Sequence, residues 1–350
     1  EMLLYTENEV TQAPVVEERT LRSILAREYG IVTGIVHRLT GYEDCNFRLS
    51  ECRWEEGSDG PDEVIVKITN PIEAKDLSVI DAQYEVFSLL RSSRIPTPEG
   101  IKTKAGEWWT LQELGMGVRL PVRVFRLLPG VNLEHFDFTP DLVTEIGRTL
   151  ASVHRTLDGF PHDISHVPFI SPENVQCMRR EAEILYRRRL IDDQKKALVD
   201  KTFADLDENI FRRRNLFDEG IIHSDFNETN LLVKDGKISG VLDFGDMHVS
   251  LRVFDVAAAI LYLHLSDRLG QRLDDLAAHF VAGYRSARAF VVPNDSLLVA
   301  MRARMACSLI YGLRTARINY RGGSIDYVLK TQSNGWETLQ RMTARYMLKY

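Results

Sequence analysis

The chain has 350 residues, more than one hydrophobic core usually takes, so two domains or lobes are expected. Its 44% apolar and 27% charged content is that of an ordinary globular protein, and a net charge of -6 argues against a general nucleic-acid binder, which carries a basic face. Cys45, Cys52, Cys177 and Cys307 are scattered with no C-x-x-C pair, which argues against a disulfide framework or zinc site and for buried reduced thiols.

The first twenty residues have no basic n-region and no long apolar core, so no signal peptide is expected. Residues 17–29 place Leu21, Ile24, Leu25 and Tyr29 on one helical face, stopped by Gly30. "IVTGIVHRL", "CNFRLSEC" and "EVIVKIT" then read as strands, separated by turn signals at Gly41 and Gly57–Pro61. Residues 72–93 return to helical spacing through Val79, Ala82, Val86, Leu89 and Leu90, and "IPTPEG" breaks that helix. Further strands end in "VRLPVRVFRLLPG", residues 118–130. After Gly130 the pattern is helical over 140–158, 171–190, 195–217, 254–266, 271–289, 296–320 and 323–347. The strand-like pieces there flank one polar run: "NLLV" and "ISGVLDF", joined by "KDGK", predict a small hairpin. The longest apolar run, Val253–Leu265, contains Asp255 and is too short to cross a bilayer. A cytosolic enzyme fits these features, with no nucleic-acid or membrane partner.

The polar run is "GIIHSDFNETNLLV", residues 220–233. It could be a loop rich in turns and caps, but it supplies what phosphoryl transfer to an alcohol requires. Such a transition state is loose, so the protein mainly positions groups and neutralises charge. Asp225 can take the proton of the attacking hydroxyl. Asn230 supplies an amide oxygen, and Asp243, thirteen residues on, supplies a carboxylate for Mg²⁺, which takes few protein ligands. A hairpin between the two would bring them back together. Lys67 alternates on the strand "VIVKI", where a lysine for the phosphates would be placed. Glu85 on the following helix could orient it, with Asp81 as the competitor. His223 reads as a structural residue holding the loop, and Asp255 as a carboxylate that tethers the loop or caps its own helix.

His223-Ser224-Asp225 through Asn230, followed by Asp243-Phe244-Gly245, resembles the H-x-D-x-x-x-x-N and D-F-G pattern of protein kinases and their small-molecule relatives. No A-P-E segment follows. That compact form resembles the aminoglycoside phosphotransferase and choline kinase-like superfamily. "GYEDCNFRL", "VRVFRLLPG", "ISGVLDFGDM", "VFDVAAAILYL" and "GWETLQRM" resemble hydroxylysine kinases, in the same order over nearly the whole chain. The resemblance implies an α+β, two-lobed protein-kinase-like fold, with a β-rich N-lobe to residue 130 and a mostly helical C-lobe over 131–350. It implies Asp225 as catalytic base, Asn230 and Asp243 as metal ligands and Lys67 as the phosphate contact. Phe125–Leu128, with Arg126 between, becomes the hinge whose backbone holds the purine. Tyr42 to Asn46 becomes the phosphate-covering loop, although it has only Gly41 where protein kinases have several glycines. The implied donor is GTP or ATP, with Mg²⁺, and the implied acceptor is 5-hydroxylysine.

Acceptor contacts are expected from Asp246, which would attract an ammonium, and from Arg314 and Arg317, which suit bidentate capture of a carboxylate. Surface charge on a helix is the plainer reading of the two arginines, and a turn is that of Asp246. His154, His162 and His166 lack nearby metal-ligand geometry and are not read as a metal site. No G-x-S-x-G elbow accompanies Ser224, which sets aside a Ser-His-Asp hydrolase. Ethanolamine, choline, homoserine and aminoglycosides are rival acceptors. A silent nucleotide-binding scaffold is the rival of another class, and the intact Asp225, Asn230 and Asp243 set counts against it.

Overall fold

The opening periodicity is realised as helix α1 (Glu18–Ile24), which widens into a π turn over Leu25–Tyr29. Leu21, Ile24, Leu25 and Tyr29 are all buried, and Gly30 ends the turn in the left-handed region (φ +76°), where a side chain would be strained. The computed structural model describes residues 13–344, except 40, 42, 58, 115–116, 162–163, 165, 267–272, 294 and 319–330. The chain forms two compact units. One runs through Ser88 and resumes over Thr97–Leu128; the other holds Leu89–Pro96 and the chain from Pro129 onward.

The first unit is built on an antiparallel sheet. Strands β1 (Ile31–Leu39), β2 (Cys45–Trp54), β3 (Val64–Ile68) and β6 (Arg119–Arg126) lie side by side, and β4 (Gly100–Ile101) and β5 (Trp109–Glu113) pair with β6. Alternation puts Phe47, Leu49, Val64, Val66, Ile68, Leu120, Val122 and Val124 in one core with the buried face of α1. Helix α2 (Leu77–Ser92) buries Val79, Ala82, Val86 and Leu90, while Leu89 is half-buried.

In the second unit, β9 (Leu231–Lys234) and β10 (Lys237–Val241) form the expected hairpin. Its tip residues Asp235 and Gly236 both have positive φ, +52° and +72°, as a two-residue type I′ turn requires. Two strands not foreseen from the sequence complete the pairing. The two-residue β7 (Val131–Asn132) joins β9, and β11 (His248–Leu251) pairs with β8 (Glu219–Ile222). The helices are α3 (Pro140–Thr156), α4 (Val175–Arg187), α5 (Asp193–Asn209), α6 (Arg252–Leu265), α7 (Leu273–Arg285), α8 (Ser296–Ile318) and α9 (Gln332–Ala344). Two helices predicted as continuous are shorter than expected: 171–190 opens with a 3₁₀ turn at Pro172–Asn174, and 195–217 gives way to one at Phe211–Leu216. The predicted helix over 323–347 starts outside the described residues. Thr139 caps α3 by accepting Leu142 N–H at 3.2 Å, with Pro140 at its first position. Helices α3 and α7 touch backbone to backbone, because a Cβ on Gly147 would stand 2.0 Å from Phe280 O and one on Gly283 1.9 Å from Thr144 O.

Val253–Leu265 is not the most membrane-like segment. Helix α8 is long and apolar enough to cross a bilayer by length and composition, but 89% of its apolar window is buried inside the fold. It is a core helix here. Cys45, Cys52 and Cys307 are buried free thiols, and Cys177 is a half-buried one.

Candidate active site

The polar run begins where β8 ends. His223 N–H and Ser224 N–H donate to Oδ2 and Oδ1 of the fully buried Asp255, each at 2.8 Å. Asp255 stands in the first turn of α6 and also accepts His154 Nε2–H at 2.8 Å; His154 Nδ1 lies 2.6 Å from the Tyr284 hydroxyl. Burial opposes the charge on Asp255, but the hydrogen bond from His154, chief among the groups around it, outweighs it and holds its carboxyl below the usual carboxylate range. Burial pushes the His154 pKa down, and the ring is bonded at both nitrogens. His154 is thus a loop support with a carboxylate beside it, which its sequence setting did not reveal. His162 lies outside the described residues.

Tethering at Asp255 carries the chain through a left-handed Ser224 (φ +73°) and presents Asp225, whose side chain is 32% exposed. His223 reaches across: its Nδ1 accepts Asp225 N–H at 3.2 Å, and its Nε2–H donates to Leu242 O at 2.8 Å. The ring also packs against Phe244, centroid to centroid 4.5 Å. Asn227 folds the next turn by accepting from Thr229 N–H at 2.9 Å and Asn230 N–H at 3.2 Å. The Asn230 amide then donates Nδ2–H to Asp225 Oδ2 at 2.8 Å and to Asp225 O at 2.9 Å, which turns its Oδ1 the other way.

The hairpin starts at that point and returns to it. Leu231 pairs with Val241, and Leu242 N–H donates to Asn230 O at 2.8 Å, so Asp243 comes back beside Asn230. Asp243 is exposed and left-handed (φ +54°), while Phe244 and Gly245 are buried. Among the described residues no group of three His, Cys, Asp or Glu side chains could hold a metal. An amide oxygen and a carboxylate on adjacent hairpin ends are nevertheless the sparse oxygen set that Mg²⁺ accepts. Asp246 is half-buried, and its carbonyl accepts His248 Nδ1–H at 2.8 Å.

Residues 41–290 match the phosphotransferase enzyme family, APH. The chain belongs to that family. Over 351 residues it is 26% identical to the hydroxylysine kinase of Mus musculus, covering 96% of this chain and 92% of that protein. A homoserine kinase of Phenylobacterium zucineum (strain HLK1) is 28% identical over 177 residues, 48% of this chain and 49% of that one. An amicoumacin kinase in complex with AMP-PNP and Ca²⁺ superposes with a TM-score of 0.67 at 15% identity, over 92% of this chain and 94% of that one. The fold is therefore the kinase-like α+β fold of this family, with a sheet-built N-terminal region and a helical C-terminal part. The protein is a small-molecule kinase that phosphorylates an alcohol.

In this phosphotransferase the remaining predicted residues are distributed unevenly. Lys67 stands on β3 directly opposite Asn46 on β2 and Arg123 on β6. Its Nζ lies 2.8 Å from Oδ2 of buried Asp44, a partner that the choice between Glu85 and Asp81 did not include. Asp44 Oδ1 accepts N–H from the Asn70 backbone at 2.8 Å and side chain at 2.9 Å. Asp81 accepts the Trp109 indole N–H at 2.8 Å. Tyr42 lies outside the described residues. Phe125 turns its ring into the core against Tyr84, 5.7 Å between centroids, and Arg126 N–H donates to Glu99 O at 2.9 Å. Those two hinge positions are thus engaged within their own unit, and Leu128 follows the strand.

Arg314 and Arg317 are not surface charge. Arg314 is fully buried, 4.2 Å above the Phe169 ring and 3.8 Å from Glu181, and Arg317 grips Glu181 with two bonds of 2.9 Å. The α8 arginine that meets the loop is Arg304, whose Nη2 lies 3.3 Å from Asp225 Oδ1. Nothing in the sequence around Arg304 marked it, because α8 carries four arginines and their spacing does not say which one meets the loop.

Proposed function

We propose that this enzyme transfers the γ-phosphate of GTP or ATP, with Mg²⁺, to the hydroxyl of an amino alcohol, 5-hydroxy-L-lysine. The observation that carries the reading is Asp225, fixed by Asn230 on the loop from which the hairpin returns Asp243. The similarity to a hydroxylysine kinase over nearly the full length of both chains favours that acceptor over homoserine, whose kinase matches about half.

Asp225 takes the acceptor hydroxyl as a hydrogen-bond donor and receives its proton as the bond to phosphorus forms. Asn230 Oδ1 and the Asp243 carboxylate would hold Mg²⁺, which when bound there would supply positive charge against that of the transferred phosphate. Lys67 contacts the same phosphates, oriented by Asp44 and by Glu85 on α2. Tyr42 and Asn46 belong to the segment that covers the phosphates, and the backbone at Leu128 holds the purine beyond the engaged Phe125 and Arg126. Asp246 receives the acceptor's ammonium. Arg314 and Arg317, committed to Glu181, hold α8 to α4 and are given no acceptor contact. The first unit is the nucleotide-covering lobe and the second the catalytic and acceptor lobe. A cytoplasmic location is proposed with it, on four cysteines that stand as free thiols.

The test is release of nucleoside diphosphate with Mg²⁺ and either ATP or GTP, across 5-hydroxylysine, lysine, homoserine, ethanolamine, choline and kanamycin. Turnover with hydroxylysine and none with lysine is expected. Turnover confined to another alcohol would replace the acceptor and keep the chemistry.

A further inference from the structure

Arg304 sits in the middle of α8 with its side chain only 3% exposed. Burying a guanidinium costs several kcal/mol unless it is paired, so its partners say what it is for. Its Nε–H donates to the Tyr262 hydroxyl on α6 at 3.0 Å, and its carbon lies 5.3 Å from that ring's centroid. Its Nη2–H donates to Asp225 Oδ1 at 3.3 Å. Burial works against its charge; Tyr262, Asp225 and Asp246 more than offset this and raise its pKa above the ordinary guanidinium value.

Asp225 is thus held at both oxygens, Oδ1 by Arg304 and Oδ2 by Asn230. Donors on opposite oxygens fix the plane of a carboxylate, whose rotation about its last bond is otherwise soft. A carboxylate has about four lone-pair positions, so two remain for an incoming hydroxyl. We propose that Arg304 is a positioning residue: braced by Tyr262, it sets the plane in which Asp225 meets the acceptor hydroxyl. The inference rests on Asp225 being the base. It adds a contact from α8, a helix remote in sequence from the catalytic loop, to the geometry of the chemical step.

The test is a double-mutant cycle on the full chain, with R304Q, R304K and Y262F made in wild-type and D225N backgrounds. R304Q should lower kcat by ~10²-fold, the order that an ångström of misplacement costs, with the acceptor KM and the nucleotide Kd little changed. R304K should recover part of that loss, and Y262F should lower kcat several-fold. In the D225N background R304Q should add little, because its effect passes through the lost carboxylate. Additive losses, or a loss confined to KM, would overturn the proposal. If the Arg304 variants do not fold, Y262F decides, since it keeps both side chains buried; an unchanged kcat there overturns it too. Wild-type turnover by D225N would instead remove the base assignment, which is a different failure.

Discussion

Asp225 has two oxygens and two donors, and its replacement separates chemistry from binding. D225N keeps a side chain of the same shape but cannot accept the hydroxyl proton. Its kcat should fall by about 10²–10⁴-fold, the usual contribution of a positioned base, while calorimetric nucleotide affinity stays near wild type. His248 gives a pH-dependent stability. Its ring is buried, accepts the Ser171 hydroxyl's hydrogen at 2.9 Å and donates to Asp246 O, and burial, with His166 nearby, lowers its pKa from 6.5 to about 4. As pH falls from 6.5 toward 4 the unfolded ring takes a proton that the native ring resists, so stability is lost on acidification. Denaturant melts should show up to about 3 kcal/mol lost from this group across that window, and H248N should flatten the slope. Short polar residues between apolar strands made Asp225, Asn230 and Asp243 legible in the sequence. Arg304 and Asp44 were not, because their meaning is a contact, one with a loop 79 positions away and one made only when β2 pairs with β3.

Elements were legible where a period persisted. Helix α1 kept its buried face, and the Asp-Gly tip defined the hairpin. The two-residue β7 carries too little pattern to see, and β11 is a four-residue strand defined by pairing with β8. Two predicted helices are shorter than their pattern: α4 starts only at Val175, after the 3₁₀ turn that Pro172 opens, and α5 ends at Asn209, ahead of the turn over Phe211–Leu216. Glycine inside a helix looks like weakness from propensity alone, yet Gly147 and Gly283 set how closely α3 and α7 cross. A methyl at either must push backbone against backbone. G283A should destabilise the protein by about 1–3 kcal/mol in a denaturant melt despite alanine's better helix propensity, and an unchanged midpoint would show that the crossing yields.

At the scale of the whole molecule, a nucleotide and the Mg²⁺ proposed with it would be ligands of the native state alone. Mg²⁺-nucleotide at a hundred times its Kd should raise stability by about 2.7 kcal/mol, and chelation with EDTA should remove most of that gain. Stabilisation that survives EDTA would detach Asn230 and Asp243 from metal binding. The order of segments made the family legible in the sequence, because a catalytic motif and its hairpin are local. Acceptor choice was harder to read. The arginines of α8 suited to a carboxylate lie against Glu181 on α4.

The hairpin of β9 and β10 carries one further consequence. Asn230 and Asp243 are neighbours because the ladder closes at Leu231 and Val241, whereas Asp235 and Gly236 stand exposed at the far end. Closing a longer loop costs only about 0.6 kcal/mol per doubling of its length. The tip can therefore lengthen, or carry an inserted peptide tag, without moving the two oxygen donors. A search for distant relatives that fixes the thirteen-residue interval between the asparagine and the aspartate would count the wrong thing; the quantity to hold constant is the pairing at the hairpin's base.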